Sequence, residues 1–430
     1  MTFEQALPVW LKIGLLSFGG PAGQIALMHR MLVDERKWLD ERTFLSALNF
    51  CMLLPGPEAM QLATYAGWRM HGLRGGLAAG LLFVLPGSLV ILALSMIYGA
   101  YGNVPLIQSI FLGIKAAVLA IVVEALLRIA KRGLKRQSDW AIAAAGFIAI
   151  FFLAIPFPLV VAVAAVVGFL RRQEPAAGVQ SAVSASVPDA VTVASTARTV
   201  AIWLAIWIVP LGLIALAFPG MPVFQDIAWF FSKMAVVTFG GAYAVLAYVA
   251  QEGVATYNWL RPGEMIDGLG LAETTPGPLI LVNAFVGYLA ALRGAGAAAS
   301  LMAGIAGWAI VLWATFAPCF LWIFAGAPYV ERINRSPRLR SALSAVTAAV
   351  VGVVLNLTVW FSLHVLFGKV GQSRVGPLHL YVPDPATVAW PAVALAVAAA
   401  VLLFALHRGL VTVLAVCAGA SMVLSYGFGL

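Results

Sequence analysis

The sequence predicts an all-α polytopic membrane protein made of two inverted-topology repeats, with six membrane segments, one connecting helix and six more. Three observations carry that expectation. Of the 430 residues, 62% are hydrophobic and only 10% are charged. Soluble domains run at roughly 45–50% apolar and about 25% charged. Long apolar runs recur along the chain, whose mean hydropathy is +0.98; at about 20 residues per crossing they leave room for little else. Finally, the two halves share a pattern of interruptions at one fixed spacing. This composition excludes an ordinary soluble enzyme, a disordered chain and a nucleic-acid-binding domain. Most of the net charge of +9 lies in short loops between apolar runs, the positive-inside pattern. Cys51, Cys319 and Cys417 form no CxxC pair, so neither a disulfide framework nor a cysteine metal site is encoded. Met1 to Gly20 has no basic n-region and no small-residue cleavage site, and it reads as part of the mature protein.

Taken in order, residues 4–34 are apolar but interrupted by Phe18-Gly19-Gly20-Pro21, and residues 41–71 by Pro55-Gly56-Pro57. Each flanking half is about 13–15 residues, or roughly 20 Å of helix, too short for a hydrocarbon core of about 30 Å. Both are expected as broken crossings or re-entrant hairpins. Longer runs follow at 73–99, 104–131, 139–154 and 157–170, completing a first repeat over residues 1–172. Residues 173–198, rich in Ala, Ser and Val, read as a flexible cytoplasmic linker. Residues 199–218 are the connecting transmembrane helix. The second repeat, 219–430, opens with 226–256, interrupted by Phe239-Gly240-Gly241, and 262–292, interrupted by Pro276-Gly277-Pro278. Its long runs are 294–326, 341–367, 386–406 and 409–428.

Register carries the duplication. Lys12 and Lys233, Phe18 and Phe239, Trp38 and Trp259, and Pro55 and Pro276 are each 221 positions apart. Shared apolar composition does not generate four matches at one offset, and internal repeats of this kind are characteristic of secondary transporters. The basic loops set the orientation. Lys131, Arg132, Lys135 and Arg136 follow the run 104–131, whereas Arg332, Arg335, Arg338 and Arg340 precede its counterpart. Basic loops face the cytoplasm, so equivalent helices run in opposite directions. The count puts the N-terminus in the cytoplasm and the C-terminus outside. The first hairpin connection, with Arg30, Arg36, Lys37 and Arg42, is expected on the cytoplasmic side, and its counterpart with Arg261 on the external side.

Broken backbone at membrane depth is tolerated only where it is buried in protein or lines a cavity. Glycine permits positive φ and close approach to the main chain. Pro21, Pro57 and Pro278 suit the first position of a second half-helix. The unpaired N–H groups that follow, together with the helix dipole, make an anion site. The candidate substrate-binding set is Ser17, Phe18, Gly19, Gly20, Gln24, Pro55, Gly56, Pro57, Gln61, Thr238, Phe239, Gly240, Gly241, Pro276, Gly277, Pro278 and Asn283. Plain packing kinks are the alternative. Ser17 and Thr238 either donate hydroxyls to an oxyanion or back-bond to the preceding turn. Lys12 and Lys233 either balance a dianion or snorkel to the interface. Gln24, Gln61 and Asn283 offer amide donors. Glu58 begins a helix, where the dipole stabilises its charge, and a helix-start acid is the simpler reading. Glu273 precedes Pro276 near a helix C-terminus, where the dipole opposes negative charge; it is the candidate for proton coupling. Lys115 lies in mid-run and is a functional hypothesis by default, with no partner evident in the sequence. Glu124 and Arg128, four apart, are expected to pair locally. The five histidines show no ligand spacing, and neither HExxH nor GxxxxGK[ST] occurs, so no metal or other cofactor is expected.

The stretches SFGGPAGQIALMHR (17–30), KWL (37–39), CMLLPGPEAMQLATYAGW (51–68) and FVLPG (83–87) resemble the first half of the chromate ion transporter family. VTFGGAYAVL (237–246), NWL (258–260) and DGLGLAETTPGPLI (267–280) resemble its second half. The resemblance covers the hairpins of both halves at their spacing, hence nearly the whole chain. It implies a secondary transporter that exports chromate across a bacterial inner membrane and confers chromate resistance. Its motifs fall on Phe18 to Pro21, Pro55 to Pro57, Phe239 to Gly241 and Pro276 to Pro278. The chain departs from the family pattern at Gln24, where many members carry histidine, and at Ala284, where many carry glutamine. The implied partners are a tetrahedral oxyanion, chromate or sulfate, and the lipid bilayer; a homodimer is compatible with this. Membrane potential suffices to drive a dianion outward, with protons an open addition. A sulfate transporter is the nearest rival, and a passive anion channel is the rival from another class. An intramembrane enzyme would have only Glu58, Glu273 and His29 as acid–base groups, with no nucleophile beside them.

Overall fold

The computed structural model describes residues 2–171, 192–218, 220–239, 242–261, 263–296, 300–330 and 336–427. Helix α1 (Phe3–Leu16) starts in a capping box, in which Thr2 and Gln5 each accept from the other's backbone N–H. It stops at Ser17, and α2 (Gly20–His29) follows after two residues of non-helical chain. A π turn at Arg30–Glu35 leads to α3 (Glu41–Cys51), capped by the Asp40 carboxylate, which accepts from Thr43 N–H at 2.8 Å. Then comes α4 (Glu58–Tyr101), in fact two helices joined at His71 and Gly72, where Gly72 has φ 61°. The first half closes with α5 (Pro105–Gly133), α6 (Gln137–Phe151) and α7 (Phe157–Leu170).

After α8 (Val193–Ala217) the order of short helices returns: α9 (Pro222–Val237), α10 (Ala242–Ala255), α11 (Glu264–Glu273), then a 3-10 turn Leu279–Leu281 running into α12 (Val282–Gly294). Longer helices α13 (Leu301–Gly326) and α14 (Pro337–Leu366) follow, then α15 (Trp390–Ala400), extended by a π turn Val401–Ala405, and α16 (Leu410–Gly427). Among the described residues, five helices are long and apolar enough to cross a membrane and five shorter ones are apolar, in keeping with a multi-pass membrane protein. Helices α6 and α7 have 15 and 14 residues. They reach only roughly 21–23 Å, less than the hydrocarbon thickness of about 30 Å.

Three expectations need correction. The chain is not all helix: Val370–Val375 and Leu378–Pro383 pair as an antiparallel hairpin with Val375 opposite Leu378. Gly376, at φ 60°, turns it, with Val375 and Leu378 on either side of the turn. The connecting helix begins at Val193, inside the expected linker, because the Thr192 hydroxyl accepts from Ser195 N–H and starts it there. Pro57 and Pro278 are N-caps in extended backbone, one residue before the first helical position; only Pro21 lies within the first turn. Residue 172 and linker residues 173–191, together with Gly240, Gly241, Arg332 and Arg335, lie outside the described residues.

The halves interleave. Helix α14 packs on α5, α6, α7 and α10, while α16 packs on α5 and α13 packs on α4, α8 and α9. Small residues allow this: a Cβ on Gly87 would strike the Pro276 carbonyl, and one on Gly113 the Cys417 carbonyl. The first contact seats α4 directly against the break that follows α11. Trp10, Phe83, Phe285 and Tyr288 are among the largest fully buried side chains.

Candidate functional site

Each break is made by local chemistry. After α1, Gly19 and Gly20 take φ 83° and 69° and turn the chain into α2. After α3, Gly56 takes φ 115°; after α11, Gly277 takes φ 92°. Such values favour glycine because a Cβ would crowd the neighbouring carbonyl. Thr238 ends α9 as Ser17 ends α1, with similar backbone angles.

Tertiary structure then crosses the breaks. Gly56 N–H donates to the Thr238 carbonyl at 2.7 Å, and Gly277 N–H donates to the Ser17 carbonyl at 2.8 Å. The two bonds are reciprocal: the PGP break of each half is tied to the FGG break of the other. Gln24 Nε2 donates to the Gly277 carbonyl at 2.7 Å and the Ser17 carbonyl at 3.3 Å, bridging the halves again. Gln61 Nε2 donates to the Pro55 carbonyl at 2.7 Å. The side-chain oxygens of Gln24, Gln61 and Asn283 are buried without a hydrogen-bond partner. Unsatisfied amides are rare in protein interiors. Their concentration on and around the breaks marks polar capacity in reserve.

A narrow crevice lies between the first and fourth breaks, lined by Gly19, Gly20, Ala272, Glu273, Thr275, Gly277 and Leu279. Gly20, the first residue of α2, lines it, and the first N–H groups of a helix have no intrahelical partner. Of the predicted residues, the structure gathers Gly19, Gly20, Gly277 and Glu273 here. Ser17 and Gln24 join through their bonds to Gly277, whereas Gly56 and Thr238 are bonded to each other at the other pair of breaks. The Ser17 and Thr238 hydroxyls donate to Ile13 and Met234 carbonyls one turn back. Phe18 is exposed and Phe239 half-buried. Lys12 is exposed on α1 and Lys233 half-buried on α9. Glu58 is half-buried at the start of α4, as a helix-start acid.

Two partners escaped the sequence. Glu273 accepts a hydrogen bond from the Tyr243 hydroxyl, and Tyr243 stands in the stretch just after the FGG of the second half. Lys115 Nζ lies 3.3 Å from Asp267 Oδ2, which also accepts from the Tyr98 hydroxyl at 2.8 Å. An intramembrane lysine demanded a carboxylate, and Asp267 was in plain view in DGLGLAETTPGPLI. The expected Glu124–Arg128 pair is present at 2.6 Å.

Broken helices that meet backbone to backbone around a crevice in a polytopic membrane protein are the architecture of secondary transporters. Residues 5–169 and 225–422 match the chromate transporter family. The chain belongs to that family. It is 32% identical over 361 residues to a chromate transport protein of Pseudomonas aeruginosa, covering 84% of this chain and 81% of the relative. It is 27% identical over 378 residues to a chromate transport protein of Cupriavidus metallidurans, covering 83% and 82%. A probable chromate transport protein of Synechococcus elongatus is 27% identical over 405 residues, 91% of this chain and 95% of the relative. No solved structure matches the chain.

Proposed function

We propose that the protein exports chromate from the cytoplasm as a secondary transporter driven by membrane potential, and so confers chromate resistance. The reciprocal pair Gly56 N–H to Thr238 and Gly277 N–H to Ser17 carries this reading. Both bonds join positions that exchange under the offset of 221 residues, as two inverted repeats meeting at a pseudo-two-fold axis would. An anion at the breaks competes for backbone N–H groups that now face carbonyls, so binding and rearrangement of the breaks are linked. In this reading the substrate contacts are the break residues named above, Gly240 and Gly241 included. Lys12, Lys233, Glu58, Glu273 and Lys115 set the charge around the anion.

The energetics suit export. One charge moving through 100 mV is worth about 2.3 kcal/mol. A dianion leaving a negative interior gains about 4.6 kcal/mol, more than three tenfold steps in concentration. The cytoplasmic N-terminus, external C-terminus, six-plus-one-plus-six arrangement and domain limits at 172 and 218 belong to the same proposal, and a homodimer is compatible with it. Sulfate has the same shape and charge, and a site of backbone donors favours it as the second substrate.

The test is chromate flux in vesicles under an imposed potential, with and without excess sulfate. Potential-driven, saturable chromate movement inhibited by sulfate is expected. Sulfate movement without chromate would overturn the substrate, and non-saturable flux would indicate a passive channel. A C-terminal tag reachable only from the cytoplasm would overturn the orientation.

A further inference from the structure

One ionic cluster stands apart from the crevice. Asp267 on α11 is 3% exposed, and its Oδ2 is held by Lys115 and Tyr98. Its Oδ1 is buried with no hydrogen-bond partner. The charged and titratable groups facing it are Lys115 from α5, Tyr98 from α4, and the Glu264–Arg293 pair on α11 and α12. That pair is closed on itself by bonds of 2.7 and 2.8 Å. Lys115 is therefore the cation that balances Asp267. The packing is built around it: a Cβ on Gly263 would stand 2.9 Å from Lys115 Nζ, and one on Gly270, a further face position of α11, would strike Ile114.

A buried carboxylate with an unpartnered oxygen stays ionised only through its counter-ion. Protonated, it needs none, and Lys115 is then left as an uncompensated positive charge. Asp267 lies six residues along α11 from Glu273 in the crevice wall, about 9 Å at 1.5 Å per residue. A net charge at that range acts on a dianion through a low-dielectric interior.

We propose that Asp267 is a proton-binding site linked to the oxyanion site. A proton from water adds to the Asp267 carboxylate while Lys115 stays protonated, and the pair changes from zero net charge to +1, six residues along α11 from the crevice wall. Proton and dianion then strengthen each other's binding, as linkage requires. This rests on the oxyanion reading of the crevice.

The experiment measures chromate half-saturation for the full-length protein in proteoliposomes from mildly acidic to mildly alkaline pH, with concentration counted as the chromate dianion at each pH. Wild-type affinity should fall about tenfold as pH rises, within the usual range for linked sites. Asp267→Asn, a permanent analogue of the protonated acid, should stay tight at every pH. If it fails to assemble because Lys115 is stranded, Lys115→Met/Asp267→Asn removes the pair as a unit and should give weak, pH-independent affinity. A flat wild-type profile, or a wild-type profile surviving in either variant, overturns the proposal. So does a pH step abolished by Glu273→Gln alone, which would place the proton in the crevice. In all those cases chromate still binds; absence of saturable chromate binding by the wild type would instead sink the oxyanion reading itself, and the proposal with it.

Discussion

Replacing Gly56 by alanine asks whether the breaks work through their backbone. At φ 115° the added Cβ would lie 2.9 Å from Cys319 Sγ and 3.0 Å from Gln61 Nε2. Neither yields freely, since Cys319 donates to the Thr315 carbonyl and Gln61 to the Pro55 carbonyl. A non-glycine residue in this backbone region costs about 1–3 kcal/mol. Disturbing the Gly56 N–H bond to Thr238 adds about 1 kcal/mol. Together these make about 2–4 kcal/mol, or roughly thirtyfold to several hundredfold in the population of the intact break. Gly19→Ala is the internal comparison: φ is 83° but nothing stands within 4 Å of the new Cβ. Strain alone, about 1–2 kcal/mol, predicts roughly a five- to thirtyfold loss. The assay is the initial rate of chromate movement in vesicles, normalised to the amount of inserted protein. Rates should fall in the order wild type, Gly19→Ala, Gly56→Ala. A Gly56→Ala protein that inserts normally and transports within twofold of wild type would refute the reasoning.

Three further outcomes are expected. Lys115→Met should lower the thermal midpoint of the purified protein more than Lys115→Met/Asp267→Asn does, because stranding one member of a buried pair costs about 3–5 kcal/mol; equal midpoints would mean that the pair contributes nothing. Tyr243→Phe strips Glu273 of its hydroxyl donor, a bond to a charged group worth about 1.5–3 kcal/mol, and transport should drop at least tenfold with insertion unchanged; normal rates would remove Tyr243 from the site. At the hairpin connection His29 is bonded by Glu41 at 2.6 Å and Asp34 at 3.3 Å, and the Glu41 hydrogen bond above all raises its pKa above 6.5. A raised folded-state value contributes stability in full below that unfolded value and loses it as pH climbs through the folded one. The thermal advantage of wild type over His29→Gln should therefore shrink from mildly acidic to alkaline pH, and an advantage constant with pH would exclude the imidazolium.

The breaks were legible from residue chemistry alone. Gly19, Gly20, Gly56 and Gly277 adopt positive φ because local sterics at a single residue decide that, and the Gly-Pro clusters announce it. The 221-residue offset and the Glu124–Arg128 pair are likewise properties of the linear chain, the latter because four residues make one helical turn. Hairpin 370–383 was missed because it is a short, exposed element between long apolar runs, where hydropathy says little.

What the linear order could not supply were meetings between distant elements. Ser17 and Thr238 were expected to offer hydroxyls, yet those hydroxyls bond one turn back and their carbonyls receive the crossing N–H groups. Tyr243 beside Glu273, and Asp267 beside Lys115, depend on which faces of α10, α11 and α5 are turned together. The sequence by itself determined the membrane character, the positions of the four breaks and their repetition, because hydrophobicity and backbone sterics act residue by residue. Only the tertiary structure decided which break bonds to which and which acid neutralises which lysine, because burial leaves each polar group dependent on whatever the packed helices bring within hydrogen-bonding distance.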